Sequence, residues 1–162
     1  MSRSIVVGIS DLAASRNPDI LVTYALGSCV GICLYDDRTG IGGLAHIMLP
    51  RSSQFSETNP NRMKYADTAI PDLIKKMQVL GADPGKLTAR IAGGAKMFET
   101  QGDGPLSSIG DRNVDSVKQI LSLLRIPVIV EDTRKNYGRT IYFHLNGGRM
   151  EVRSLQNERK GL

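Results

Sequence analysis

Apolar and polar positions fall along this chain in short blocks, and the blocks predict strands more often than helices. Residues 5–9 and 20–25 read as strands, with the polar stretch 11–19, containing Asn17-Pro18, as a loop between them. Residues 29–35 form a run of small and apolar side chains. The cluster Asp36-Asp37-Arg38-Thr39-Gly40 then marks a turn, and the apolar run 41–49 ends at Pro50. The two runs predict a hairpin. After a Ser- and Asn-rich loop over 51–61, Met63, Ala66, Ile70, Leu73, Met77 and Leu80 recur at three and four, which is a helical stripe closed by Gly81. Pro71 interrupts it and marks either a kink or a late start.

Residues 86–91 read as a further strand, and 100–110 as a glycine-rich loop. Asn113 is placed to cap a second helix that carries Val114, Val117, Leu121 and Leu124 on one face. A strand over 126–131 follows. Residues 139–145 and 149–155 flank Asn146-Gly147-Gly148, the strongest hairpin signal in the chain. The pattern predicts an α/β domain with a mixed, largely antiparallel sheet and about two main helices.

Composition narrows the class without naming a chemistry. At 162 residues the chain is the size of one ordinary domain, so 1–162 is read as a single unit, with 156–162 as a basic tail. Three Phe, five Tyr and no Trp predict an aliphatic core. The net charge of +5 favours anionic partners. The cations are scattered, however, apart from Arg153, Arg159 and Lys160. No aromatic residues interleave with them as a single-strand platform requires, which argues against nucleic-acid binding. No apolar run reaches signal-peptide or membrane-spanning length, so a cytoplasmic protein without membrane insertion is expected.

Cys29 and Cys33 are the two cysteines. On one strand their α-carbons lie about 13 Å apart at ~3.3 Å per residue, too far for a disulfide. With the turn over Asp36 to Thr39, Tyr35 faces Gly40 and Cys29 falls opposite His46. A thiol and an imidazole on one face could then act as nucleophile and general base. The preceding Gly27-Ser28 permits a sharp turn whose N–H groups can face an oxyanion, and an imidazole beside the thiol is expected to lower its pKa. By residue type alone, each side chain is more often an ordinary core group, and only their coincidence across one hairpin brings the two readings level. Cys33, between Ile32 and Leu34, fits the core reading. His144 alternates with apolar residues and is a weaker base. Gly93-Gly94 lacks a phosphate-loop pattern, and no cluster has metal-ligand spacing.

The chain resembles the chemoreceptor glutamine deamidases of bacterial and archaeal chemotaxis, the CheD family. The residues that carry the resemblance run in order along it. They are Leu26-Gly27-Ser28-Cys29-Val30 with Cys33-Leu34-Tyr35-Asp36, Gly42-Gly43 through His46 to Leu49-Pro50, and Lys64-Tyr65-Ala66-Asp67. Further on come Ile91-Ala92-Gly93-Gly94-Ala95 with Met97-Phe98, Ile109-Gly110 with Arg112-Asn113, Glu131-Asp132 and Gly138-Arg139.

The resemblance implies a layered α/β fold similar to certain glutamine-deamidating toxins. It also implies a Cys-His-Thr set of Cys29, His46 and Thr23, with backbone groups of Gly27 and Ser28 at the oxyanion. The activity it implies is protein-glutamine glutaminase action on methyl-accepting chemotaxis receptors, without metal or cofactor. A CheC-type phosphatase is a possible partner, leaving regulation by binding, or receptor methylesterase action by the same thiol, as alternatives. One departure stands out: Arg134-Lys135 occupy a place where the family often carries a glycine pair.

Overall fold

The computed structural model describes residues 2–55, 57–97 and 108–154, together with the backbone of 159–161. Among these residues, ten strands and two α-helices follow one another as β1 Ser4–Val6, β2 Asp11–Arg16, β3 Ile20–Leu26, β4 Val30–Asp36, β5 Ile41–Ile47, α1 Ala66–Leu80, β6 Leu87–Gly93, α2 Ile109–Leu123, β7 Val128–Thr133, β8 Arg139–His144, β9 Arg149–Ser154 and β10 Arg159–Gly161. The strands form two five-stranded sheets rather than one. The first has the order β1-β3-β8-β9-β10, antiparallel except for β1 beside β3. The second has the order β2-β5-β4-β6-β7, antiparallel except for β6 beside β7.

Two apolar layers hold this together, and β4 and β5 contribute to both. Val30, Ile32, Leu34, Ala45 and Ile47 pack with Ala69, Ile70, Leu73 and Met77 of α1 and Val114, Val117 and Leu121 of α2. On the other side Cys33, Tyr35 and Leu44 pack with Leu21, Ile141 and Phe143 of the first sheet. Every residue of β4 and β5 is buried, as expected of strands covered on both faces. That is why they read as near-continuous apolar runs.

Several elements depart from the sequence pattern. Residues 11–16 are a strand, β2, not a loop. Its Ala-rich, polar-flanked sequence carries little strand propensity, and its pairing to β5 from Asp11↔His46 to Arg16↔Ile41 supplies the order. Helix α1 starts at Ala66 and runs through Pro71, while Arg62–Lys64 form a separate 3-10 turn. Gly81 closes α1 in the left-handed region, as predicted, at φ 114°. Helix α2 begins at Ile109, so Asn113 lies inside it rather than at its cap.

The glycine-rich stretch predicted as a loop falls largely outside the described residues, as do Phe98 and residues 156–158 and 162 of the basic tail. Residues 159–161, read as tail, pair with β9. Among the described residues, no helix is long and apolar enough to cross a membrane.

Candidate functional site

The hairpin of β4 and β5 sets the site, in a register two residues from the one predicted. Asp36 pairs with Ile41 and Gly31 with His46. Gly40, at φ 73°, belongs to the turn, because its left-handed backbone cannot continue a strand. Asp36 instead completes β4 and accepts the backbone N–H groups of Arg38 and Asp83. A shift of two preserves which face each side chain occupies. Cys29 therefore lies one residue before β4, two positions from the residue paired with His46, and its thiol makes no hydrogen bond to Nε2 in this structure.

Opposite His46 stands Gly31, whose lack of a side chain lets residues of the other sheet pack close against the strand. A β-carbon there would lie 2.5 Å from Ile141 Cδ1 and 3.7 Å from Thr23 Cγ2.

His46 is fully buried between the sheets. Its Nδ1 lies 2.7 Å from Thr23 Oγ1, and the same Oγ1 lies 2.7 Å from the Val7 carbonyl oxygen. A hydroxyl has one proton, and a carbonyl can only accept. Thr23 therefore donates to Val7 and accepts from Nδ1–H. This assigns the tautomer: the ring proton sits on Nδ1, and Nε2 carries a lone pair. Nε2 has no hydrogen-bond partner among the described residues. A buried, unpaired lone pair on an oriented imidazole is what a general base requires. Burial also holds the His46 pKa down, to about 4, so the ring is neutral at physiological pH.

The Cys29 turn is held through three successive carbonyls. Gly27 O accepts from Ala95 N at 2.8 Å, Ser28 O from Asn113 Nδ2 at 2.9 Å, and Cys29 O from Gly94 N at 2.8 Å. The thiol lines a pocket of about 290 Å³ with Gly27, Ser28, Ala95, Met97 and the first turn of α2. A wider groove of about 660 Å³ between α2 and β7 contains neither thiol nor imidazole.

Burial pushes the Cys29 thiol up to about 11, partly offset by its own backbone N–H facing the sulfur. The expected lowering is not found, because a neutral imidazole provides no positive charge to stabilise a thiolate. The resting pair is thus thiol and neutral imidazole. Both cysteines are free; Cys33 is buried, and burial raises its pKa as well. His144 instead meets Glu151, with Nε2 3.0 Å from Oε1.

Comparisons with known proteins identify the family. A family model described as CheD chemotactic sensory transduction matches residues 48–154. A protein of Caldanaerobacter subterraneus subsp. tengcongensis is 46% identical over 154 residues, covering 95% of this chain and 94% of that protein. One of Clostridium botulinum strain Hall is 48% identical over 154 residues, covering 94% of each. Both are named probable chemoreceptor glutamine deamidase CheD. The chain belongs to the CheD family.

A crystal structure of a Neisseria meningitidis DUF152 protein is similar in fold alone. Its TM-score is 0.51 at 11% identity, covering 81% of this chain and 64% of that one.

Several CheD motif residues that sequence reasoning left without a role buttress the site. Gly93, at φ 111°, lets two backbones meet: a β-carbon there would lie 2.2 Å from Cys29 O. Behind it, the fully buried Arg139 directs Nε to Asp132 Oδ1 at 3.1 Å and Nη1 toward Gly93 O at 3.5 Å. Arg134 and Lys135, at φ 70° and 63°, adopt the left-handed backbone that a glycine pair would accept without strain. Arg134 is also tied to Asp111 and Asp115 of α2, at 2.6 and 2.8 Å. Among the described residues, no group of three His, Cys, Asp or Glu is placed to hold a metal ion.

Proposed function

We propose that this protein is a cytoplasmic protein-glutamine glutaminase that converts glutamine side chains of methyl-accepting chemotaxis receptors to glutamate, using Cys29, His46 and Thr23. The observation that carries the reading is the hydrogen-bonded line from Val7 O through Thr23 to His46, which leaves Nε2 as a bare base. The names of the CheD relatives supply the substrate class.

In the first step Cys29 Sγ attacks the carboxamide carbon while His46 Nε2 takes the thiol proton. Concerted removal suits a thiol that burial keeps protonated. The carbonyl π pair moves onto oxygen, where backbone N–H groups of the turn at Gly27, Ser28 and Cys29 stabilise the charge. The tetrahedral intermediate then collapses. Nε2–H protonates the departing nitrogen, ammonia leaves, and a thioester remains on Cys29. His46 Nε2 next deprotonates water, which attacks the thioester; the C–S bond breaks, Nε2–H returns the proton to Sγ, and glutamate and the free thiol are released. Thr23 holds the ring and its tautomer throughout, without carrying charge itself.

The pocket beside the thiol is narrow and partly apolar, suited to one extended amide side chain inserted from a protein surface. Incubating a receptor fragment with the protein and with Cys29→Ala, followed by mass mapping of amide-to-acid conversion, tests the reading. Conversion should vanish with the thiol, and conversion that survives in Cys29→Ala contradicts the mechanism. Running methyl-ester substrates alongside separates deamidation from methylesterase action. The same inactive variant, titrated with a CheC-type phosphatase, measures binding apart from catalysis.

A further inference from the structure

We propose that Asn113 is a positioning residue of the reaction, locking the nucleophile turn to the histidine strand and thereby aiming the Cys29 N–H at the reacting centre. The inference rests on Cys29 being the nucleophile. Asn113 is fully buried inside α2. Its Nδ2 donates to two backbone carbonyls, Ser28 O and Met48 O, each at 2.9 Å. The amide orientation is fixed by these acceptors, because a flipped amide would set its oxygen against two carbonyl oxygens.

The two carbonyls are not arbitrary. Ser28 immediately precedes Cys29, and Met48 lies two residues beyond His46. One NH₂ group therefore bridges the segments that carry nucleophile and base, at the end of the β4–β5 ladder where strand pairing has stopped.

The chemical consequence comes from peptide geometry. In a trans peptide the C=O and N–H of one unit point in opposite directions. Gripping Ser28 O therefore fixes the direction of the Cys29 N–H, which faces its own sulfur. That N–H is where charge develops on the carbonyl oxygen during thiol attack. Gly27 O and Cys29 O are held by backbone groups of residues 94–95, so Asn113 supplies the one side-chain restraint in this run of three. Its Oδ1 has no partner among the described residues, so the amide is held through its two N–H bonds.

The test compares the wild-type protein with Asn113→Ala, Asn113→Asp and Cys29→Ala on a receptor fragment, reading kcat, KM, thermal midpoint and pH profile. Folded Asn113→Ala should lose about a hundredfold in kcat with KM changed less than about threefold. Asn113→Asp nearly preserves shape and separates aim from packing. Its carboxylate repels both carbonyls, but the protonated acid can donate once. Its kcat relative to wild type should therefore rise about tenfold between about pH 8 and about pH 6.

A purely structural role would lower the thermal midpoint without producing that acid rescue. If Asn113→Ala does not fold, the Asp profile decides alone. A folded Ala variant with kcat within about threefold of wild type, or an Asp profile parallel to wild type, overturns the inference while leaving Cys29 in place. Full activity in Cys29→Ala removes the nucleophile, and this inference with it.

Discussion

Cys29 and Cys33 lie four residues apart on the same side of the same sheet, yet they occupy opposite chemical situations. Around Cys33 the space between the sheets is filled by Leu44, Tyr35 and Phe143, and the thiol has no access to solvent. Cys29 packs against that layer only in part and lines a pocket, while His46, paired with Gly31 in the same sheet, meets Thr23 of the other. Both thiols are pushed up by burial, so neither is distinguished by acidity. In the proposed mechanism the base comes from β5 of the same sheet, and the residue that orients it, Thr23, comes from the other sheet.

Substitution is the strongest way to break this comparison. Cys29→Ala should abolish receptor deamidation, a loss of at least about 10³-fold. Cys33→Ala should leave kcat within about threefold and cost about 1–2 kcal/mol of stability, read by denaturant titration. Equal losses of activity would mean that the two ends of the layer are not functionally distinct.

A smaller effect falls on Thr23. Thr23→Val removes the acceptor for Nδ1–H while keeping the shape, so the ring is free to place its proton on Nε2. The expected result is a drop of about a hundredfold in kcat, with Thr23→Ser within about threefold of wild type. A fully active Thr23→Val would show that the hydroxyl is only packing.

The third effect is thermodynamic. The folded pKa of His46, about 4, lies below the ordinary value of 6.5. Above pH 6.5 the ring is neutral in both folded and unfolded states, so stability does not depend on it. As pH falls from 6.5 toward 4, the unfolded chain takes up a proton that the folded chain refuses, and stability drops by about 3 kcal/mol. His46→Gln should lack this part of the acid loss in denaturant titrations across that range. Parallel curves for the two proteins would contradict a neutral, buried ring.

Much of the scaffold was legible in the sequence because it depends on local pattern. The fully apolar runs gave β4 and β5, the stripe ending at Gly81 gave α1, and Asn146-Gly147-Gly148 gave the β8–β9 hairpin. What the sequence concealed depends on tertiary contacts. Residues 11–16 have weak strand propensity and become β2 through pairing with β5. Asn113 has the residue type of a cap, but it serves two distant carbonyls from inside α2.

The site was partly legible. Cys29 and His46 stood out by type and by a hairpin, although the register missed by two residues at Gly40. Thr23 looks like any strand threonine, and only the family resemblance singled it out. Its hydroxyl meets the ring across the gap between two sheets, which no periodicity records. Gly31 gave no signal, since what it permits is the close approach of Ile141 and Leu26 from the other sheet.

The central claim is that Thr23 presents Cys29 with a neutral His46 whose Nε2 is bare. The most direct measurement is the nitrogen NMR spectrum of imidazole-labelled protein, assigned with His46→Gln and followed from neutral pH downward. The account predicts a proton on Nδ1, none on Nε2, and no conversion to imidazolium until the pH approaches about 4. A proton on Nε2, or an imidazolium at neutral pH, would contradict it.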